Sequence, residues 1–137
     1  MADQPDLQQL TEGSDDEIAE KIRAAGTEQV LDRVFDGMQE RFQPDRASGV
    51  DAQLQWLVSD DGQEHAYVTT VKEGACTVER GRVDSPRVTF ATDLASFGKL
   101  MAGRAAGPQL YMTGKLKVQG DMMLAQRATS FFRPVGS

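Results

Sequence analysis

The period of the hydrophobic pattern changes near residue 50, and this change restricts the fold more than any other feature of the chain. Before it, residues 27–42 (TEQVLDRVFDGMQERF) repeat apolar side chains near i, i+4 and i+8, which predicts an amphipathic helix. After it, residues 50–59 (VDAQLQWLVS) alternate apolar and polar side chains, which predicts a strand with Trp56 buried on its apolar side. Separate runs of helices and strands favour an α+β fold.

A further helix is predicted near the N-terminus. Ser14 and Glu17 form an S-x-x-E capping box at the start of SDDEIAEKIRAAG, so residues 14–26 are predicted to form an extra N-terminal helix. Thr27 is the expected cap of the helix that follows. Residues 1–13 are mainly polar, and we expect them to form a disordered lead.

Four segments with strand character follow at intervals of roughly ten residues. Asp61-Gly62 is a hairpin turn signal, and Glu73-Gly74 marks a second turn. Strands of this spacing joined by tight turns predict an antiparallel meander. The predicted strands lie at residues 50–59, 64–71, 75–80 and 87–92.

Helical signals return after the fourth strand. Thr92 or Asp93 is expected to cap a helix that Gly103 ends, and Asp121 is expected to cap the last helix. A short strand, LKV, lies between these two helices. The sequence therefore predicts one five-stranded, mainly antiparallel sheet with helices packed on a single face.

Length and charge exclude several classes of protein. The 137 residues suit one domain, and the net charge of −6 argues against nucleic-acid binding, because the densest basic pair is only Lys115 and Lys117. The chain contains no apolar run of about 18 residues, so no transmembrane segment is predicted. Cys76 is the single cysteine, and neither end of the chain carries a targeting signal, so we expect a cytoplasmic protein.

Tests for catalytic and metal-binding motifs are negative. Gly114-Lys115 does not belong to a phosphate-binding loop, because Gln109 replaces the first glycine and Leu116 the hydroxyl residue. His65 is the only histidine, so a histidine-based metal site is not expected. Cys76 and His65 have the residue types of a nucleophile and its base, but a buried thiol and a strand-end histidine are the favoured interpretation. We predict no catalytic residue, metal or cofactor.

The second half of the chain is rich in methionine and aromatic side chains, including Met101, Met112, Met122 and Met123. Methionine is flexible and polarizable, and it suits surfaces that accept varied apolar shapes. From composition alone, however, a plain hydrophobic core is favoured over a ligand cavity.

The segment from Pro108 to Met122 (PQLYMTGKLKVQGDM) resembles the most recognisable stretch of the sterol carrier protein type 2 (SCP-2) family. That stretch runs P-Q-x-x-(aromatic or Met)-x-G-K-L-K-(V/I)-x-G-(D/N)-(M/L) and precedes an Ala/Leu-rich closing helix. The resemblance extends over about residues 27–133. It implies helices on one side of a five-stranded sheet, with a lipid tunnel between them.

The resemblance also implies a non-enzymatic function, the binding of a sterol, fatty acid, acyl-CoA or phospholipid. Lys115 and Lys117 are candidates to meet an anionic headgroup, although a solvated strand end is the favoured interpretation. The residues expected to contact lipid are Val34, Met38, Phe97, Leu100, Met101, Leu110, Met112, Met123, Leu124 and Phe131.

Two other hypotheses stay open at this point. In one, the chain is an accessory domain without an open cavity, and the helix at residues 14–25 or the Met-rich surface docks a lipid-metabolising enzyme. In the other, less favoured, Cys76 and His65 act in catalysis. Transient contact with a membrane is compatible with the carrier hypothesis.

Overall fold

Six helices and five strands form the fold of residues 7–133, the part of the chain that the computed structural model describes. Two short 3₁₀ turns, Pro44–Ala47 and Thr129–Phe131, accompany them. The helices are α1 Leu7–Leu10, α2 Asp15–Ala25, α3 Thr27–Arg41, α4 Leu94–Met101, α5 Gly107–Met112 and α6 Met122–Ala128. The strands are β1 Ala52–Asp60, β2 Gln63–Lys72, β3 Ala75–Arg80, β4 Val88–Asp93 and β5 Leu116–Gly120.

The five strands form one mixed sheet in the order β3-β2-β1-β4-β5. Strands β1 to β3 form the predicted meander, but β4 does not continue it. Instead β4 pairs in parallel with β1, and β5 pairs antiparallel with β4 at the edge. The predicted four-stranded meander is therefore wrong in its last strand, while the five-stranded, mainly antiparallel sheet is confirmed.

The link between β3 and β4, residues 81–87, explains the parallel pairing. The backbone N–H of Val83 donates to the Gln55 side chain at 2.9 Å, and that of Arg87 donates to the Gln53 carbonyl at 2.9 Å. Gln53 and Gln55 point to the sheet face opposite Trp56, because side chains alternate along a strand. The link thus crosses the face without helices and carries the chain to the far side of β1.

Aromatic side chains join the helices to the inner face of the sheet. Trp56 is 1% exposed, as predicted, and stacks on Phe90 with ring centroids 4.5 Å apart. Phe35 of α3 stacks on Tyr67 at 4.0 Å and on Phe97 of α4 at 5.1 Å. Burial and stacking of such rings supply a large share of core stability, so this cluster fixes α3 and α4 against β1, β2 and β4.

The N-terminal segment is more ordered than the sequence indicates. Leu7 and Leu10 are buried in the short helix α1, so the expectation of a disordered lead over residues 1–13 is wrong at residues 7–10. The Gln8 amide also donates to the carbonyl of Ala102 at 2.7 Å, which attaches α1 to the end of α4. Residues 1–6 and 134–137 lie outside the described part.

Helices α2 and α3 differ in how their N-terminal ends are capped. The predicted capping box of α2 is present: the Ser14 N–H donates to Glu17 Oε1 at 2.8 Å, and the Glu17 N–H donates to Ser14 Oγ at 3.2 Å. Thr27 does not cap α3, contrary to expectation. It is the first helical residue, and Gly26 occupies the cap position without a side-chain hydrogen bond.

Gly120 lets β5 end beside the start of β4. Its φ angle is 107°, and a Cβ atom at this position would overlap the carbonyl oxygen of Arg87. That carbonyl accepts the N–H of Asp121 at 3.0 Å, which places Asp121 to cap α6. A side chain at position 120 would therefore disturb both the sheet edge and the start of α6.

We predict that Gly120→Ala destabilises the protein by about 3 kcal/mol, because the substitution adds a backbone clash to the strain of a positive φ. Gly114→Ala is the matched control, since Gly114 has a φ of 79° but open space where a Cβ would lie. Gly114→Ala should lower the free energy of unfolding by about 1 kcal/mol. Urea unfolding of both variants measures the difference, and equal losses would contradict the proposed clash.

Candidate functional site

Helices α5 and α6 form a V on the inner side of β5. They meet where α5 begins: a Cβ on Gly107 would lie 3.0 Å from Cγ2 of Thr129, just beyond α6. Their other ends are joined by β5, whose five residues hold them about 15 Å apart. The arms of the V therefore enclose a wedge-shaped groove that narrows toward Gly107 and Thr129.

This groove has a volume of about 290 Å³, near the lower end of the range of about 300–1,000 Å³ for small-molecule sites. Its lining contains no charged side chain, and its polar side-chain groups belong to Tyr111, Gln126 and Thr129. The buried ring of Phe90 contributes to its wall from β4. The lining consists of Phe90, Gly107, Pro108, Tyr111, Met112, Leu116, Val118, Met122, Ala125, Gln126 and Thr129.

The predicted lipid-binding residues occupy three different environments. Met112 lines the groove, whereas Met123 and Leu124 line a neighbouring, more polar depression that also contains Arg127. The others pack in the core, where Leu100 is partly buried and the rest are buried: Val34, Met38, Phe97, Met101, Leu110 and Phe131. Their role as ligand contacts stays a prediction.

Most of the groove lining was missed by the sequence analysis, although a helical signal for it exists. Positions 108, 111 and 112 of α5 follow i, i+3, i+4 spacing, and positions 122, 125, 126 and 129 extend the same pattern from α6. On β5, Leu116 and Val118 lie two residues apart and share the inner face. Each element thus presents one periodic face to the groove.

The Cys76 and His65 pair cannot form a catalytic dyad. Cys76 pairs with Val71 of β2, and His65 lies six residues away along the same strand, a separation of about 20 Å. Burial raises the pKa of the Cys76 thiol to about 11, which disfavours the nucleophilic thiolate. Within residues 7–133, moreover, no three His, Cys, Asp or Glu side chains are grouped to hold a metal ion.

Asp15 links the N-terminal helices to the start of β5. Its carboxylate accepts from Lys99 Nζ at 2.7 Å and from Lys115 Nζ at 2.9 Å, so one side chain of α2 joins α4 and β5. Hydrogen bonds from Lys99 first, and then from Lys115, hold the pKa of Asp15 below its usual range. Lys115 is thus an ion-paired residue rather than a freely solvated strand end.

Asp15→Asn should lower the free energy of unfolding at pH 7 by about 1 kcal/mol, because two partly exposed ion pairs are lost. The pKa of Asp15 is depressed in the folded state, so its contribution is present above the unfolded value of about 3.9 and disappears as pH falls through the folded value. Unfolding titrations of both proteins between pH 7 and pH 2 should converge in acid.

Asp16→Asn is the control for that experiment, since Asp16 also lies in the first turn of α2. Both substitutions remove a negative charge from the positive end of the helix dipole, but only Asp15→Asn removes the bridge. An equal loss in both variants would show that the dipole, not the bridge, carries the effect.

Comparison with known proteins gives one family match. The profile of the SCP-2 sterol transfer family matches residues 31–133, so α1 and α2 precede the matched region. The oleate-induced peroxisomal protein POX18 of Candida maltosa is 32% identical over 78 residues, which are 56% of this chain and 61% of that protein. The chain therefore matches less than two thirds of this relative's length.

Solved structures share the fold. Sterol Carrier Protein 2 Like 2 of Aedes aegypti superposes with a TM-score of 0.63 at 19% identity, covering 80% of this chain and 97% of that one. The palmitated form of that protein superposes with a TM-score of 0.58 at 19% identity, covering 73% of this chain and 87% of that one. The sec-alkylsulfatase Pisa1 of a Pseudomonas species gives 0.67 at 16% identity, covering 88% of this chain but 21% of the enzyme.

Proposed function

Because the chain belongs to the SCP-2 sterol transfer family, we propose that it binds the apolar part of a lipid in the groove between α5, α6 and β5. The family is one of lipid binding and transfer. The observation that carries the proposal is the groove itself, which lies within the matched residues and whose lining is free of charged side chains. A sterol, fatty acid, acyl-CoA or phospholipid each supplies the apolar segment that such a lining accepts.

The affinity comes from removing that segment from water. Each buried CH₂ group contributes about 0.8 kcal/mol, which offsets the cost of association once several groups are inside. The charged or polar headgroup stays at the open end, because a charge placed among uncharged side chains loses its hydration without compensation. This geometry suits a ligand held by its tail and released without chemical change.

A longer ligand requires the arms of the V to separate. Leu110 of α5, Leu124 of α6 and Phe131 just beyond α6 are all buried. Their place supports the proposal that the predicted contact residues meet the ligand after α5 and α6 move apart. Helices of six and seven residues are short enough to shift as units between their flanking turns.

The geometry does not favour a partner-docking role for α2. Ile18 and Ile22, on its apolar side, are fully buried within the chain, and both lie near Gly98 of α4. That apolar side is occupied by the protein's own core. Cys76 and His65 lie too far apart to form a catalytic dyad, which agrees with a carrier that does not act as an enzyme.

Filling the groove should abolish binding and spare the fold. Val118 faces the groove beside Phe90, so Val118→Phe places a ring in open space and should leave the melting temperature nearly unchanged. We expect the affinity for a fluorescent fatty acid to fall at least tenfold. This loss corresponds to about 1.4 kcal/mol or more of binding free energy. Gln119→Phe, which places the same ring on the exposed opposite face, should bind like the parent protein.

Two outcomes would contradict this proposal. If the parent protein bound no fluorescent fatty acid, sterol or acyl-CoA, lipid binding by the groove would be excluded. If Val118→Phe bound as well as Gln119→Phe, the ligand would occupy another site.

The sole tryptophan provides an independent test. Phe90 lies between Trp56 and the groove, and the two rings are stacked, so a ligand in the groove lies one ring away from the indole. We predict that a fatty acid brominated near its methyl end quenches Trp56 emission, whereas the unbrominated acid does not. Equal affinity for both acids without quenching by the brominated one would place the ligand away from Phe90.

A further inference from the structure

The groove is closed at its narrow end by one close contact. Gly107 begins α5, and a Cβ atom on it would lie 3.0 Å from Cγ2 of Thr129. The opposite end is open, where the exposed side chain of Met112 ends α5. A chain that is longer than the groove therefore enters fully only if the start of α5 moves away from Thr129.

Helix α1 and the turn that follows it hold the segment just before α5. Arg104 lies three residues before the first residue of α5. Its Nε donates to Thr11 Oγ1 at 2.9 Å, and its Nη2 donates to the Gln8 carbonyl at 3.0 Å. The Glu12 carboxylate lies 3.8 Å from the same Nη2, and the Gln8 amide donates to the Ala102 carbonyl at 2.7 Å. The start of α5 is therefore tethered to α1 through the loop that precedes it.

The tether is attached to a rigid support. Thr11 is 2% exposed, and its hydroxyl donates to the Leu7 carbonyl at 2.8 Å. A Cβ atom on Gly98 would lie 3.0 Å from Cγ2 of Thr11, so the residue after α1 rests directly on α4. Leu7 and Leu10 of α1 are buried as well. Movement of Arg104 therefore breaks its contacts with α1 and does not carry α1 along.

The other end of α5 is fixed independently. The Lys115 N–H donates to the Leu110 carbonyl at 2.9 Å, and the Lys115 carbonyl accepts from Thr92 Oγ1 of β4 at 2.8 Å. Asp15 of α2 accepts from Lys115 Nζ at 2.9 Å. Lys115 is therefore a hinge, and α5 turns about it when the contacts of Arg104 are broken.

We propose that residues 7–12 form a strap that restrains the start of α5 through Arg104, and that this strap limits the length of the lipid chain that the groove accepts. Arg104 is a positioning residue, since it acts on the groove wall through the loop into α5. The strap precedes residues 31–133, the region that the family profile matches. This inference rests on the proposed function and adds the selectivity of the groove.

The strap acts on the fraction of molecules in which the groove is open at its narrow end. A short chain fits the closed groove, whereas a long chain binds only molecules in which the contacts of Arg104 are broken. The apparent affinity for a long chain is therefore reduced by the fraction of molecules that are open. Ion pairs between partly exposed side chains, such as that of Arg104 with Glu12, are individually weak, so the strap opens and closes reversibly.

Arg104→Met tests this selectivity, because methionine keeps an apolar stem and removes the contacts with Thr11, Gln8 and Glu12. Dodecanoic and octadecanoic acids are compared by displacement of a fluorescent fatty acid. The affinity for octadecanoic acid should rise about threefold or more, while that for dodecanoic acid stays within about twofold of the parent. Gln8→Ala removes the contact with Ala102 and should shift the affinities in the same direction to a smaller extent.

Arg23→Met is the matched control. Arg23 lies on α2, and its Nε donates to Asp60 Oδ1 at 2.8 Å, which attaches α2 to the end of β1. The substitution makes the same change of residue and charge, and it breaks a contact between the N-terminal helices and the sheet away from the loop before α5. Both affinities should equal those of the parent protein.

Hydrogen exchange in the ligand-free protein gives a second readout that does not depend on binding. Backbone amides of α5 should exchange about threefold faster or more in Arg104→Met than in the parent, because a larger fraction of molecules is open at this helix. Amides of β1 should be unchanged in the same variant. Arg23→Met should leave the exchange of α5 as it is in the parent.

Several results would overturn the proposal. Equal changes in the affinities for both acids would show that Arg104 acts on binding in general and not on chain length. Equal effects of Arg104→Met and Arg23→Met would show that overall stability, and not the strap, controls α5. Unchanged exchange of α5 in Arg104→Met would show that the strap does not restrain the helix. If the parent bound neither acid, the proposed function would be refuted and the selectivity with it, while faster exchange in Arg104→Met would still demonstrate the restraint of α5.

Discussion

The stack of Phe90 on Trp56 is the contact on which the rest of the structure depends. Trp56 belongs to the central strand β1, and Phe90 lies opposite it on β4, so their rings support the parallel pairing that joins the meander to the C-terminal unit. The other side of Phe90 faces the groove. One aromatic ring is thus both a core residue and part of the ligand wall, which makes the shape of the groove dependent on the packing of the sheet.

Local features were read correctly from the sequence because their causes are local. The alternation around Trp56 predicted β1, the Asp61-Gly62 pair predicted the first hairpin turn, and the Ser14 and Glu17 side chains predicted the start of α2. The partner of β4 was not predictable in this way. A strand's own pattern shows which side chains are buried, but here the neighbour is chosen by the path of residues 81–87 over the outer face.

The groove was only partly predictable for a related reason. The Pro108 to Met122 motif located the correct segment, and its methionines indicated an adaptable apolar surface. Whether a given methionine is buried depends on where α5 and α6 meet: Met101 packs in the core, whereas Met112 is largely exposed. Leu7 and Leu10 present the converse case, two apolar residues in a polar tract that are buried because α1 packs against α2 and is hydrogen-bonded to Ala102 at the end of α4.

The position of β5 at the sheet edge has a consequence for how the molecule opens. In the described sheet β5 pairs with β4 alone, through a ladder from Val88 and Gly120 to Thr92 and Leu116. Breaking this ladder frees β5, while the pairing of β1 with β2 and β4 is untouched. Opening at this edge therefore leaves the rest of the sheet intact, and amide hydrogens of β5 exchange with solvent before those of the central strand β1.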